Sequence, residues 1–415
     1  METYQETLKS LLNDEAYSYR RDAFLQFLKA PIRTFKESPT VKDYVEISED
    51  ELKRMILGSF PETSKDSIPL GNYDILVNNE NVSFSSSLQD RGIIVSDLKS
   101  AISSNKDLME KYVYPRLGDD RDEFLINSAW RNGLFVFIPD NTDVVINVEN
   151  VIKSEVSIAQ KYVIISGKNA NVTYSDNFSS VGQGDGIQGK TIYFFLGEGT
   201  KIHYHYFQEK FPEVTDITYV KEFMDKYSEF AFYHANRGAY KTIFTDKSVQ
   251  FGEMSTFKVA GVSFSSGSQK MSITDSSFQE AETTVSDIHV RGVVTGNSST
   301  IHKGSIDLEE NSKKSTGFYD SRILLLSKDG YANSKPALMI KNSNTRSKHG
   351  SSISNVDDEQ IFYLSSRGIP RNIAKGIITT GFVSSILDSA EDKRFMERVY
   401  KLAEDLGSNV ISAPD

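Results

Sequence analysis

The middle of the chain, from about residue 136 to residue 344, is a succession of short segments with the pattern of β-strands. The segments are roughly four to eight residues long, alternate in polarity and are rich in Val, Ile, Tyr, Phe and Thr, as half-buried strands are. Such segments build a sandwich, a barrel or a parallel solenoid. No strict repeat period singles out a solenoid, although about 200 residues of strands exceed what one small sandwich takes. A β-helix is therefore one of the folds that this region allows.

The N-terminal part of the chain has helical patterns instead. Apolar residues recur every three or four positions before Pro31, and Ser48 with Glu51 forms a capping box that begins a second helix. Two further short helices are predicted to begin near Ser96 and Asn105. The apolar positions of the first helix are Leu8, Leu11, Leu12, Phe24, Phe27 and Leu28.

The C-terminal part predicts three helices. Asp357 can cap the first, and Gly368 supplies the left-handed residue that ends it. Pro370 begins the second helix, and a third is expected from Ser389. The apolar stripe of the second helix consists of Ile373, Ala374, Ile377, Ile378, Phe382, Val383 and Ile386.

The composition excludes several classes of protein. With 57 acidic and 47 basic residues, the formal net charge is -10, which argues against a dedicated nucleic-acid-binding protein. The chain has no cysteine, so by itself it forms no disulfide, thiolate nucleophile, zinc-thiolate site or cysteine-ligated cluster. The N-terminal stretch lacks the pattern of a signal peptide, and no apolar run approaches the roughly 18 residues that span a bilayer. We therefore expect a cytoplasmic protein that binds neither nucleic acid nor membrane.

One segment matches a nucleotide-binding motif. Residues 184–191, GDGIQGKT, fit the P-loop pattern through Gly184, Gly189, Lys190 and Thr191. That loop needs a helix directly after its lysine, so that backbone N–H groups point at the phosphates. The residues that follow, IYFFLGEGTKIHYHYF, are aromatic and β-branched, which favours a strand. We interpret the match as a chance one and predict a glycine-rich loop between strands, with no nucleotide site.

Three of the six histidines are candidate metal ligands, whereas the isolated His234, His289 and His302 are interpreted as structural. His203 and His205 fall on one face of a strand, because side chains alternate with period two, and Glu209 is a weak third candidate. A solvated strand face is favoured over a metal site here. His349 lies in the polar stretch TRSKHGSSISN, which we expect to be a loop before the terminal helices. A loop histidine is a candidate ligand or proton carrier.

The run KPALMIKNSNTRSKHGSSISNVDDEQIFYLSSRGIPRNIAKGIITTGF closely resembles the end of the SufB and SufD family of iron-sulfur cluster assembly proteins. That family shows P-x-L-x-I, then S-H-G-A-T, then D-E-x-x-F-Y-L-x-S-R-G-I. A second, weaker match, FLINSAWRNGLFVFIP, is similar to the entrance of the family's core. The matching residues are Pro336, Leu338, Ile340, His349, Gly350, Asp358, Glu359, Phe362, Tyr363, Leu364, Ser366, Arg367, Gly368 and Ile369 at the end, and Phe124, Asn127, Ala129, Gly133, Val136 and Pro139 at the entrance.

The resemblance implies a mainly β fold with helical ends, that is, a right-handed parallel β-helix core flanked by N- and C-terminal α-helical domains. Together with the sequence patterns it predicts a mainly helical domain over 1–132, a β-helix core over 133–346 and a helical domain over 347–415. It also implies a non-catalytic scaffold subunit that pairs with SufB or with itself and is bound by the SufC ATPase through its C-terminal helices. The residues that match the partner-binding motif are Phe362, Tyr363, Arg367, Gly368 and Ile369.

Two positions resemble the SufD type rather than the SufB type. SufB-type chains carry a cysteine before the D-S-x-L strand and a glutamate directly after the final histidine, where this chain has Tyr319 and Gly350. In the SufD type, His349 corresponds to the histidine thought to help hold the cluster across the SufB interface. This chain also departs from SufD, with Ser347 where a cysteine is frequent and Met339 in place of the usual glutamate.

The resemblance further implies that this chain binds no cofactor alone, and that an iron-sulfur cluster is held transiently in the complex. Whether the complex binds a flavin stays open. Because the chain has no cysteine, thiolate ligands would come from the partner. A different class also stays open, namely a stand-alone β-helix enzyme or binding protein that uses His203, His205 and the glycine-rich loop for a metal or a small molecule.

Overall fold

A computed structural model of the chain describes residues 16–31, 45–58, 70–78 and 81–408. The predicted helical positions Leu8, Leu11 and Leu12 lie outside these ranges. The N-terminal elements are α1 (Tyr17–Lys29), α2 (Glu49–Leu57), β1 (Ile75–Asn78), β2 (Asn81–Phe84), α3 (Ser86–Asp90), β3 (Ile94–Asp97), α4 (Leu98–Ser104), α5 (Lys106–Leu108), a π-helical turn (Met109–Val113) and α6 (Arg121–Ala129).

The strand-rich middle follows and leads into the C-terminal helices. The strands are β4 (Asn132–Ile138), β5 (Asp143–Lys153), β6 (Ile158–Ser166), β7 (Asn171–Val181), β8 (Ile187–Leu196), β9 (Lys201–Lys210), β10 (Thr215–Met224), β11 (Glu229–Gly238), β12 (Lys241–Gln250), β13 (Thr256–Ser265), β14 (Lys270–Gln279), β15 (Val285–Val294), β16 (Ser299–Leu308), β17 (Thr316–Leu325), β18 (Tyr331–Ile340) and β19 (Arg346–Asn355). The last helices are α7 (Asp358–Ser366), α8 (Arg371–Ser384) and α9 (Lys393–Gly407).

The strands from β4 onward form a parallel β-solenoid of eight rungs, each with one strand in either of two sheets. The even-numbered strands build one sheet and the odd-numbered strands the other, and strands of neighbouring rungs pair in parallel. Each residue pairs with one that lies 26 to 32 positions further along the chain. The mainly β fold with helical ends is thereby confirmed, and the uneven rung length explains why no strict repeat period is visible in the sequence.

One corner of the solenoid is built from residues in the left-handed region, with φ between 53° and 71°. Each of them donates its backbone N–H to a carbonyl of the next rung; the Tyr227 N–H, for example, lies 2.9 Å from the Glu253 oxygen. The hydrogen bond offsets the cost of roughly 1–2 kcal/mol that this conformation has for a residue with a Cβ atom. The corner positions are Asn141, Asn169, Gly199, Tyr227, Met254, Thr283 and Lys314.

The interior between the two sheets is packed with aromatic side chains. The Phe194 ring centroid lies 4.7 Å from that of Tyr204 and 5.0 Å from that of Phe230. Near the C-terminal end, Tyr319 lies over Gly304 of the opposite sheet, where a Cβ atom would come within 2.0 Å of the ring. The interior is therefore a packed core rather than an open channel.

Helices cover the outer faces of the two sheets. The N-terminal helices pack on the even-numbered sheet through Phe27, Met55 and Ile126, among others, and α9 packs on the odd-numbered sheet. The capping box of Ser48 and Glu51 is present at the start of α2. No helix within the described ranges is long and apolar enough to cross a membrane.

Several predicted boundaries differ from the structure. Ser96 lies in β3, and the next helix begins only after Asp97, whose side chain caps it. The third C-terminal helix begins at Lys393 rather than at Ser389, because the Asp392 side chain accepts hydrogen bonds from two backbone N–H groups of its first turn. Leu28, predicted on the apolar face of α1, is 42% exposed.

The largest difference concerns the segment with His349. The sequence predicted a loop there, but residues 346–355 form β19, the last strand of the solenoid. The predicted boundary between core and C-terminal domain at residue 346 falls at the start of this strand, and the helices begin at Asp358. A terminal strand is covered on one side only, so it needs no apolar alternation. Its polar composition therefore resembled that of a loop.

Candidate functional site

The C-terminal end of the solenoid is an open rung. β18 and β19 stand at the ends of their sheets, each paired on one side only within the described part of the chain. Ile340 and Ile353 continue inward-facing positions of the preceding rungs, yet they are 49% and 44% exposed because no further rung covers them. Unpaired strand edges beside exposed apolar side chains are a template for another chain. We call this end, formed by residues 331–340 and 346–355, the mouth.

His349 lies at the mouth and faces the solenoid interior. It pairs in register with Tyr319 of β17, and paired residues of parallel strands present their side chains to the same side. Tyr319 is 2% exposed and belongs to the interior core, whereas His349 is exposed. The interior column that His349 ends consists of Ile146, Tyr174, Tyr204, Phe232, Val259, Ile288 and Tyr319.

The matched motif residues of α7 form an exposed aromatic surface directly after the mouth. Phe362 is 72% exposed and Tyr363 is 58% exposed, and the Arg367 guanidinium lies 5.4 Å from the centroid of the Tyr363 ring. Gly368 has a φ of 87°, which ends α7, and the N–H of Ile369 donates to the carbonyl of Leu364. On α8, Ile373 and Ile377 of the predicted apolar stripe are exposed as well. Large exposed apolar side chains in one region are typical of a protein-binding surface.

The C-terminal helices are fastened to the solenoid through α9. The Arg398 guanidinium donates to Asn177 at 2.6 Å and to Glu209 at 3.3 Å, and Glu209 also accepts from Arg237 at 2.6 Å. Asn177, Glu209 and Arg237 lie on three successive rungs of the solenoid. In turn α8 packs closely on α9, where a Cβ atom at Gly376 would lie 2.4 Å from the Ser408 hydroxyl. A protein bound to α7 and α8 is thus connected mechanically to the middle of the solenoid.

His203 and His205 lie on the same outer face of β9, where α9 covers them. The His205 ring packs on Phe395 with centroids 5.6 Å apart, and burial lowers its pKa to about 4 despite the nearby Asp392. His203 Nδ1 lies 3.3 Å from a Glu391 carboxylate oxygen. Across the described ranges, no group of three or more His, Cys, Asp or Glu side chains is arranged to hold a metal ion. The predicted solvated strand face is therefore wrong: His205 is 1% exposed because α9 packs over it.

The P-loop match was predicted to be a glycine-rich loop, but only residues 184–186 lie in a connection, whereas residues 187–191 already belong to β8 and are buried. The residues after the match continue this strand, as the sequence predicts. Gly184 adopts a φ of 150° in the connection before it, and a Cβ atom at Gly189 would lie 2.3 Å from a side chain of α2. Lys190 is buried, and its Nζ donates to Asp216 at 2.9 Å, while Thr191 is buried as well. The glycines and the lysine thus have packing roles, and the backbone lacks the loop-to-helix geometry that cradles phosphates.

The buried carboxyl groups inside the solenoid were not predicted from the sequence. Burial raises the pKa of Glu222 to about 8, and burial together with Glu222 raises the pKa of Asp246 well above its usual value. Asp275 lies 2.9 Å from His234 Nε2, and burial lowers the pKa of His302 to about 3. These carboxyl groups and imidazoles are fully buried, so they belong to the core of the solenoid.

A signal for these acids does exist in the sequence. KTIFTDKSVQ of β12 and KMSITDSSFQ of β14 share Lys, Thr-Asp, Ser and Gln at equal positions, 29 residues apart. The structure pairs the two segments residue by residue, with Asp246 opposite Asp275 and Gln250 opposite Gln279. The similarity of the two segments therefore indicates two stacked rungs, although the same residues do not recur in the other rungs.

Replacing Glu222 by glutamine is expected to stabilise the protein increasingly as pH rises from about 5 to 8. In this range the folded chain keeps the Glu222 proton, whereas the unfolded chain has released it above its pKa of 4.5. Because only the folded chain retains this proton, each unit of pH increase lowers the free energy of unfolding of the natural chain by about 1.4 kcal/mol. The glutamine variant loses no such proton, so its stability relative to the natural chain increases.

Urea unfolding of both chains at each pH measures this difference, and the comparison cancels the titration of groups that do not interact with residue 222, such as His205. Glu253→Gln, at an exposed position, is the matched control and is expected to differ from the natural chain by a constant amount. A Glu222→Gln difference that does not change with pH would contradict the prediction.

Comparisons with known proteins agree with this architecture. Residues 148–382, from within β5 to within α8, match the family described as SUF system FeS cluster assembly, SufBD core domain. The iron-sulfur cluster assembly protein SufD of Bacillus subtilis (strain 168) is 25% identical over 320 residues, which cover 74% of this chain and 72% of that protein. SufBD family proteins of Staphylococcus epidermidis (strain ATCC 12228 / FDA PCI 1200) and Staphylococcus haemolyticus (strain JCSC1435) are each 23% identical over 303 residues, 71% of this chain and 65% of those proteins. The chain belongs to the SufBD family of SUF-system iron-sulfur cluster assembly proteins.

Proposed function

We propose that this chain is a SufD-type, non-catalytic scaffold subunit that pairs at its mouth with a SufB-type subunit or with a second copy of itself. In this role a cytoplasmic SufC-type ATPase binds the surface of α7 and α8. The iron-sulfur cluster is cargo that is built where the two mouths meet, and His349 is one of its ligands.

The observation that carries the proposal is the open rung that ends in His349. Ile340 and Ile353 are about half exposed at the mouth, and a partner that stacks there would bury them and pair the free strand edges. His349 would then lie at the joint between two chains. A neutral imidazole suits iron, and a site shared by two subunits lets the other chain supply thiolates that this chain lacks.

The SufD type is supported by the positions where SufB carries a cysteine and a glutamate. Tyr319 stands at the first position and is buried under the terminal rung. Gly350 stands at the second, and a Cβ atom there would meet only the Asp320 carboxylate at 3.5 Å. Neither residue offers a thiolate or a carboxylate for sulfur or iron, which fits a supporting subunit.

Ile353→Asp is expected to weaken pairing at the mouth at least tenfold, because a buried carboxylate without a partner costs more than 1.4 kcal/mol. Size-exclusion chromatography of the chain mixed with a SufB-type and a SufC-type protein measures the pairing. Val145→Asp is the matched control, since Val145 is 57% exposed on β5, far from the mouth. No association of the natural chain with either protein or with itself would contradict the proposed function.

A further inference from the structure

A cavity of about 540 Å³ lies on the outer face of the last three odd-numbered strands, under the turn that joins α8 to α9. We propose that this cavity binds a small molecule that carries an oxyanion, either carboxylate or phosphate, on an apolar body. The cavity is separate from the mouth interior, because its wall includes Gly350 and Lys348, and the Lys348 side chain points to the side of β19 opposite His349.

Arg291 is the central residue of the proposed site. Its side chain is only 5% exposed, and it lines the cavity. Its Nη1 donates to Asp320 at 2.9 Å and to the Val290 carbonyl at 3.1 Å. Its Nε and Nη2 have no hydrogen-bond acceptor among the residues that the structure describes. A guanidinium edge formed by Nε and Nη2 is the geometry that binds a carboxylate or a phosphate with two parallel hydrogen bonds.

Two further cations line the same cavity. Arg322 donates through Nε to Asp320 at 3.2 Å, which leaves its two terminal nitrogens for a ligand, and the exposed Lys348 stands on the next rung. Asp320 is therefore shared by two arginines. The other acids of the lining are Asp287, which lies 2.9 Å from His289 Nε2, and Asp388 of the turn.

The three cations of the lining are matched by three carboxylates, so the formal charges balance when His289 is neutral, and the Nε–Nη2 edge of Arg291 is the feature that favours an anion. A buried guanidinium with an unpaired edge is costly unless a ligand or water completes its hydrogen bonds. An oxyanion would do so with charge-assisted bonds. Phe318, 39% exposed at the cavity wall, offers a flat apolar surface for the body of the ligand. The volume is within the range of pockets that bind small molecules.

Titration calorimetry at constant ionic strength tests the site, with phenyl phosphate and benzoate as probes and benzylamine as the cationic counterpart. We expect saturable binding of the two anions and none of benzylamine. Arg322→Gln and Lys348→Gln are each expected to weaken anion binding about tenfold, the effect of one charge-assisted hydrogen bond. Both positions are exposed, so these variants keep the test valid if Arg291→Gln fails to fold.

Arg346→Gln is the matched control. It removes one positive charge from β19, the strand of Lys348, but Arg346 does not line the cavity, so anion binding is expected to change less than twofold. Equal weakening by Arg346→Gln and Arg322→Gln would overturn the proposal, because it would indicate general charge attraction. Loss of phenyl phosphate binding when a SufB-type or SufC-type protein is added would also overturn it, since a side chain of the partner would then occupy the cavity.

Discussion

Replacing both Phe362 and Tyr363 by alanine is expected to weaken binding of a SufC-type ATPase by more than a hundredfold. These aromatic side chains are 72% and 58% exposed on α7, and a partner that buries them would gain about 2 kcal/mol or more from each. The fold should tolerate the change, because neither ring belongs to a core cluster. Surface plasmon resonance with the immobilised ATPase measures the dissociation constant.

Phe251→Ala is the matched control for the aromatic pair. Phe251 is a large exposed aromatic residue at 43%, but it follows β12 at a corner of the solenoid, so its loss is expected to leave the dissociation constant unchanged. Pairing with a SufB-type chain at the mouth should also persist in the double variant. Normal ATPase binding by the double variant would contradict the prediction and indicate that the ATPase binds another surface of the chain.

His349→Ala is expected to lower the yield of iron-sulfur cluster in the reconstituted complex to about a tenth or less. The imidazole is exposed at the end of the interior column and makes no contact that folding needs, so unfolding and complex formation should remain as in the natural chain. Loss of one of few ligands to iron leaves an open coordination position that water or oxidants can attack. Iron and acid-labile sulfide per complex are the quantities to measure.

Ser352→Ala serves as the control for this variant, because Ser352 lies on the same strand with its side chain on the opposite side from His349. Its cluster yield is expected to equal that of the natural chain. An undiminished yield with His349→Ala would remove this histidine from cluster assembly, without affecting the case for pairing at the mouth.

Local signals in the sequence predicted the local structure well. The alternating β-branched and aromatic segments are strands, and α2 and α7 begin at the predicted capping residues Ser48 and Asp357. These features depend on residues a few positions apart. The solenoid depends on pairs some 26 to 32 residues apart, and the corners absorb rungs of different length. Composition and spacing alone therefore could not choose between a sandwich, a barrel and a solenoid, and the family resemblance supplied that choice.

The site was predicted only in part for a similar reason. His349 was identified through the motif around it, but its polar neighbours hid the strand, because a terminal rung has one side uncovered. Arg291 and Asp320 stand 29 residues apart and meet only because they lie on adjacent rungs. In the sequence each is an ordinary charged residue of an alternating strand, so nothing marks the pair before the rungs are stacked.

The open rung also determines where the solenoid is least stable. Every inner rung is held by a neighbour on both sides, whereas β18 and β19 have one neighbour each in the described chain. A stack of this kind behaves as a one-dimensional array, in which fraying from a free end costs less than opening the middle. Pairing at the mouth would turn the terminal rung into an inner one. Assembly would therefore set the rigidity of the segment that carries His349, and this histidine would be fully ordered only when the second chain is in place.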